Sequence, residues 1–98
     1  MPVAEEVRQA AGLLERRFAL TVLIASHEGA VRFNEFLYAV NEIPPRTLAA
    51  RLGELETAGL LEREIVETRP PHFEYRLTER GRALGALVEA LRGWATVR

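Results

Sequence analysis

The chain has 98 residues, of which 48% are hydrophobic and 28% are charged, with a formal net charge of −1 and no cysteine. These values are typical of one folded domain over residues 1–98, and the lack of cysteine excludes disulfides, thiol redox sensing and cysteine metal sites. The longest apolar run, residues 18–25, is far shorter than the roughly 20 residues that cross a bilayer, so no membrane partner is expected. The first residues are acidic where a secretion signal would be basic, which indicates a cytoplasmic protein.

Residues 1–28 are predicted to form two helices. Val3 and Val7 lie at helical spacing in a first helix that reaches Ala11, and Gly12 is expected to loosen its end. Residues 13–26 follow as one central helix, which is expected to stop near Glu28 and Gly29. The second half of this segment is apolar nearly all round, which is typical of a buried helix.

Residues 31–59 are predicted to form a helix-turn-helix. Val31 and its neighbours are extended in character and could form a third strand. Asn34 is predicted to cap a first helix over residues 34–41, because asparagine is a favoured N-cap. Ile43 is the apolar plug expected to let this helix meet the next one at a steep angle.

The second helix of the motif, residues 45–58, has one apolar side. Leucines 48, 52 and 55 lie at i, i+4 and i+7, which places them on one side of a 3.6-residue helix. Pro45 suits the first helical turn, where its missing N–H is no loss. Gly59 can take the left-handed conformation that commonly ends a helix.

Residues 60–77 are predicted to form a two-stranded hairpin with a proline-stiffened loop at residues 67–71. In its second strand, Phe73, Tyr75 and Leu77 alternate with charged residues, which is the period of a half-buried strand. These apolar side chains are therefore expected to face the core. The predicted fold is mainly α with a small antiparallel β wing (α+β class), namely a winged helix-turn-helix.

A last helix is predicted over residues 78–95, with Thr78 as its cap. Its apolar stripe can serve the intramolecular core or a dimer surface, and a large indole near a chain end favours the dimer. The first helix is expected to join this surface. The candidate dimer residues are Val3, Val7, Leu84, Leu87, Leu91 and Trp94.

The candidate DNA-binding face is on helix 45–58 and consists of Arg46, Thr47, Ala50 and Arg51. Arginine can pair bidentately with guanine O6 and N7, and small neighbours allow close approach to the major groove. An ordinary solvated helix face is the alternative explanation. The pattern thus predicts double-stranded DNA as a partner.

Two flanking regions could contact the DNA backbone. Arg69 and His72 lie at or beside the stiffened loop, where they could touch phosphate or the minor groove. Arg32 and Asn34 start the first motif helix and could hold a phosphate there. A solvated loop charge is the alternative for Arg69, and capping alone would explain Asn34.

Nothing in the sequence points to an enzyme, a metal or a cofactor. The two histidines, His27 and His72, lie far apart and have no cysteine or spaced carboxylates around them. Ser26, His27 and Glu28 are consecutive, and sequence neighbours cannot generally align as a catalytic triad. The glycines do not form a phosphate-binding loop.

Separated blocks of this sequence occur in the order and spacing of one protein family. The blocks are Arg32–Phe36, Ile43–Glu56, Gly59–Arg63, Pro70–Thr78 and Gly81–Leu84. Together they resemble the HxlR-type (DUF24) transcriptional regulators of the MarR-like winged-helix group, over about residues 13–95. The resemblance implies a homodimeric DNA-binding regulator whose terminal helices form the dimer and whose second motif helix contacts DNA.

The chain departs from the family pattern at three points, the mildest of which is Phe18, where the family commonly has tryptophan. Pro44 stands where the family usually has serine or threonine, so the normal cap of the second motif helix is missing. Many members carry an N-terminal cysteine that senses oxidants, and this sequence has none.

The charge of the DNA-facing half favours a dimer. Residues 46–82 contain seven arginines and seven glutamates, so a single copy would bind DNA weakly. We therefore predict a homodimeric regulator of a pseudo-palindromic operator, with helix 45–58 in the major groove and loop 67–71 as the wing. The alternatives are a winged-helix protein–protein interaction module without specific DNA binding and a regulator gated by an unknown small-molecule effector.

Overall fold

The computed structural model of the protein describes all residues from 1 to 98. Six helices and one antiparallel hairpin make up the fold, which confirms the predicted α+β class with a small wing. The elements are α1 (Glu5–Glu15), α2 (Ala19–His27), α3 (Phe33–Ala39), α4 (Pro45–Thr57), β1 (Leu61–Val66), β2 (His72–Leu77), α5 (Glu79–Arg82) and α6 (Gly85–Ala95). No helix is both long and apolar enough to span a membrane.

The core lies between α2, the α3–α4 pair and the base of the hairpin. Its buried side chains come from every one of these elements, because each contributes one apolar stripe. Ile43, in the turn between α3 and α4, is only 5% exposed, which confirms its predicted place as an apolar plug. The core cluster consists of Val22, Ala25, Phe36, Val40, Ile43, Leu48, Leu52, Leu55, Leu60 and Leu61.

The boundary between the first two helices was predicted wrongly. The first helix continues through Gly12 to Glu15, and the chain breaks at Arg16–Phe18 instead. Phe18 has φ of +70°, a left-handed conformation that bulky residues rarely adopt. Sequence spacing missed this break because the apolar pattern runs across it.

The first motif helix begins one residue earlier than predicted, so Asn34 is not its cap. Arg32 occupies the cap position, and the Glu35 carboxylate accepts the backbone N–H groups of Val31 and Arg32, each at 2.9 Å. The expected third strand is also absent. Val31 makes a single backbone bond to the sheet, in which its carbonyl accepts the N–H of Tyr75 at 2.7 Å.

The hairpin has the predicted strands, but its outer half faces solvent. Leu61 pairs with Leu77 at its base, and the Tyr75 ring makes an edge contact with Phe36 at 6.5 Å between centroids. Phe73, predicted to face the core, is 47% exposed and does not belong to the core cluster. Its ring packs under the Arg63 guanidinium, 4.8 Å from its centroid.

The last helix is two helices rather than one. Thr78 caps the short α5, because its hydroxyl oxygen accepts the N–H of Gly81. This confirms the predicted role of Thr78 as a helix cap. The chain then bends at residues 83–84 before α6 begins. Leu84 at this bend packs against the core, and Val88 of α6 is buried.

Candidate nucleic-acid interface

Helix α4 has a buried apolar side and, opposite it, an open, exposed side that consists mainly of small residues. Leu48, Leu52 and Leu55 are at most 1% exposed. On the opposite side, Arg46 and Ala50 are exposed, as predicted. Arg46 takes part in none of the ion pairs within the chain, so its guanidinium is available to a ligand.

Gly53 extends this open side, and the sequence prediction did not include it. A Cβ added at Gly53 would meet no atom within 4 Å, so nothing in the fold requires glycine there. Glycine in a helix interior costs stability relative to alanine. The signal was available in the sequence, since Arg46, Ala50 and Gly53 are spaced at i, i+4 and i+7.

The prediction that Arg51 lies on the open side is wrong. Its side chain is only 11% exposed, its Nε donates to the Arg17 carbonyl at 3.0 Å, and its NH1 group lies 2.5 Å from the Glu54 carboxylate. The reason is geometric: 100° per residue places Arg51 about 60° from the leucine stripe. Thr47, on the same flank, is half-buried.

The four flanking residues predicted from sequence line one groove. This groove, about 940 Å³ in volume, runs between the start of α3 and the hairpin loop. Arg32 and Asn34 form its α3 side, and Arg69 and His72 form its hairpin side. The two pairs of residues are far apart in sequence, so their convergence on one groove could not be predicted. The hairpin brings them together because it lies beside the start of α3.

A buried acid next to this groove was not foreseen. Glu74 was expected on the solvent side of β2, yet it is only 9% exposed. Its carboxylate lies 2.5 Å from the Arg76 guanidinium, 3.3 Å from His72 Nε2 and 3.8 Å from the Arg32 guanidinium. The bonds from Arg76 and then His72 hold the pKa of Glu74 below its usual value. The acid thereby partly neutralises the groove.

The terminal helices expose much of their apolar surface. Val3, Val7, Leu87 and Trp94 are each at least 44% exposed. Leu84 and Leu91 are half-buried. An apolar groove of about 490 Å³ lies between α1 and the α5–α6 segment, with Val7, Leu14, Leu84 and Leu87 among its walls.

Glu35 makes the start of α3 sensitive to acid. Its bonds to the backbone N–H groups of Arg32 and Val31 hold the pKa of Glu35 below its usual 4.5. Because the folded pKa is the lower one, the stabilisation is present above the unfolded pKa and is lost as pH falls through the folded value.

We therefore expect Glu35→Gln to lower the stability at neutral pH and to weaken the fall in stability below about pH 4.5. Urea unfolding at a series of pH values measures this. Glu6→Gln is the matched control, since Glu6 lies on the exposed first turn of α1. An acid profile for Glu35→Gln that is identical to the wild-type profile would contradict the assignment.

Comparison with known proteins agrees with this architecture. Residues 13–97 match the family described as HxlR-like helix-turn-helix. The HTH-type transcriptional regulator YodB of Bacillus subtilis is 32% identical over 90 residues, which cover 92% of this chain and 80% of YodB. YvaP of the same organism is 32% identical over 88 residues, covering 90% of this chain and 82% of YvaP. Other relatives are longer, and the chain spans 52–56% of their length.

Solved structures share the fold. The reduced form of B. subtilis YodB superposes with a TM-score of 0.82 at 31% identity, covering 96% of this chain and 92% of that one. The redox regulator HypR in its reduced form gives a TM-score of 0.82 at 32% identity, covering 92% and 89%. The chain therefore belongs to the HxlR-like helix-turn-helix family and is a DNA-binding transcriptional regulator of the winged-helix type.

Proposed function

We propose that the chain acts as a homodimer in which each copy recognises an operator half-site with α4 and contacts flanking backbone with loop 67–71. The observation that carries this proposal is the two-sided character of α4. Its leucines are buried, whereas Arg46, Ala50 and Gly53 form a narrow open side. A helix with small side chains and one free arginine suits the major groove, where Arg46 would be a donor to guanine.

The groove between α3 and the hairpin supports backbone contacts. Arg32, Asn34, Arg69 and His72 converge there from two elements, and phosphate contacts of this kind set the position of a protein on the duplex. Arg69 is exposed on the hairpin loop and would be the outermost contact. Glu74 reduces the positive charge of the groove, so we expect contacts that orient the domain and add only moderate affinity.

The exposed apolar side chains of the terminal helices support dimerisation. Val3, Val7, Leu87 and Trp94 would be covered by a second copy, with Leu84 and Leu91 at the edge of the contact. A dimer would double the DNA contacts and separate two half-sites by about one helical turn of DNA. An interaction module without DNA binding is not favoured, since the relatives are named as transcriptional regulators.

The proposal is tested by selecting duplexes from a random pool and measuring their affinity and stoichiometry. We expect enrichment of an inverted repeat that binds two chains, with affinity that falls steeply as salt rises. If no duplex is enriched at low salt by a chain with a normal circular dichroism spectrum, the proposal is overturned.

Gly53→Ala tests the close approach of α4 to the duplex. The extra methyl group should stabilise the free protein by about 0.5–1 kcal/mol, because it meets no neighbour and favours the helix. It should also weaken binding to the selected duplex roughly tenfold, equivalent to about 1.4 kcal/mol.

Gly12→Ala is the matched control, because a Cβ at Gly12 in α1 also meets nothing within 4 Å. It should stabilise the protein without changing affinity for the duplex. Unfolding curves and fluorescence anisotropy provide both quantities. A Gly53→Ala protein that binds as tightly as wild type would contradict close approach at this position.

A further inference from the structure

The side chain of Arg51 connects α4 to the segment that joins α1 to α2. Its Nε donates to the backbone carbonyl of Arg17 at 3.0 Å, and its NH1 group pairs with Glu54 at 2.5 Å. The other oxygen of Glu54 lies 3.6 Å from the Arg16 guanidinium. The side chain of Arg51 is 11% exposed and that of Glu54 is 34% exposed, and hydrogen bonds in which both groups are charged are stronger than neutral ones.

The segment Arg16–Phe18, which joins α1 to α2, has a defined backbone conformation. Phe18 is in the left-handed conformation, with φ of +70°, and its ring packs against the core. The Arg17 guanidinium lies 5.0 Å from the centroid of the Phe18 ring. A residue held in a sparsely populated conformation persists only when its surroundings determine it. The Arg51–Arg17 bond is one of those surroundings.

Helix α1 depends on this joint for its direction. It has no buried residue, and its contact with the core cluster comes from the half-buried Leu13, three residues before the Arg16–Phe18 segment. Its C-terminal end is continuous with the Arg16–Phe18 segment that Arg51 holds. A change at Arg51 would therefore free α1 to tilt relative to α4.

We propose that Arg51 is a positioning residue that sets the angle between α1 and α4. The inference rests on the proposed function for its consequence: α1 lies in the dimer contact, so this angle determines the separation of the two copies of α4 and the preferred half-site spacing. Arginine is suited to this position because its planar fork bonds a carbonyl and a carboxylate together, which lysine cannot match.

The first test measures the position of α1 relative to α4 directly, and it needs neither DNA nor a dimer. Because the chain has no cysteine, Gln9→Cys on α1 and Ala49→Cys on α4 give a clean pair of spin-label sites. The doubly labelled chain is diluted with unlabelled protein, and the distance between the two spin labels is measured by pulsed electron paramagnetic resonance. We expect a narrow distribution with Arg51, a distribution at least twice as broad or clearly shifted in Arg51→Met, and an intermediate one in Arg51→Lys.

The second test measures spacing. The selected operator is rebuilt with its half-sites moved apart or together in steps of one base pair. Wild type should show one sharp optimum. Arg51→Met should show an optimum that is displaced or flattened, with a loss of about tenfold or more at the wild-type spacing and a smaller loss elsewhere. Arg51→Lys should recover part of the preference. Unfolding curves establish that each variant is folded at the temperature used. If Arg51→Met does not fold, both tests are made with Arg51→Lys instead.

The outcomes separate this inference from the proposed function. An Arg51→Met distance distribution that matches wild type in both width and position, or equal loss of affinity at every spacing, would overturn the positioning role. A changed distance in a protein that binds no duplex would support the positioning role and overturn the proposed DNA recognition.

Discussion

Gly81→Ala is expected to destabilise the protein by about 3 kcal/mol, near the upper end of the cost of inserting a methyl group into a packed site. A Cβ at Gly81 would lie 2.1 Å from the Leu60 carbonyl oxygen and 3.0 Å from its carbon. This carbonyl cannot move freely, because it accepts the N–H of Thr78 at 3.1 Å. Thr78 in turn donates its hydroxyl to the Gly59 carbonyl. The methyl group would therefore force apart the junction of α4, the hairpin and α5.

The matched control is Gly93→Ala in α6, where an added Cβ meets nothing within 4 Å. This substitution should leave the free energy of unfolding unchanged or raise it, because alanine favours a helix over glycine. Urea unfolding of both variants measures the difference. Equal stability of the two variants would show that the junction yields to the methyl group at little cost.

Arg46→Gln is expected to weaken binding to the selected duplex by about 10- to 100-fold, equivalent to roughly 1–3 kcal/mol for a bidentate contact with a base. Arg46 is exposed on the first turn of α4 and has no partner within the chain that competes for it. The loss should concentrate at one base-pair position, where Arg46→Gln should discriminate less between base pairs.

Arg8→Gln removes the same charge from α1, where Arg8 pairs with Glu5 at 3.0 Å on the surface. It should leave affinity within about twofold, because Arg8 is not among the residues proposed to contact DNA and the loss of its exposed ion pair costs little stability. Fluorescence anisotropy at several salt concentrations measures both variants. Equal losses in the two would indicate a general charge effect and contradict a local contact by Arg46.

The groove between the start of α3 and the hairpin loop shows how far the sequence could predict the candidate site. The sequence predicts backbone contacts at two separate places, Arg32 with Asn34 and Arg69 with His72, and the fold brings all four residues to one groove. Glu74 was not singled out, because strand alternation placed it towards solvent. Alternation predicts the two faces of a strand, but it does not predict that Arg32, His72 and Arg76 will surround the Glu74 carboxylate.

Arg51 illustrates the same limit on a helix. Its type and neighbours suggested a DNA contact, whereas its position beside the leucine stripe allowed the guanidinium to reach the Arg17 carbonyl. That carbonyl belongs to the α1–α2 joint, 34 residues away in sequence. Only the folded chain could reveal this partner.

Local sequence signals were sufficient to predict the second motif helix, the hairpin and the fold class. Apolar periodicity, Pro45 at the helix start and Gly59 at its end are local signals, and local backbone preferences act on neighbouring residues. The break at Phe18, the bend after α5 and the burial of Arg51 and Glu74 became visible only in the folded chain. Each of these depends on contacts between residues distant in sequence, and the free energy of those contacts outweighs local preference.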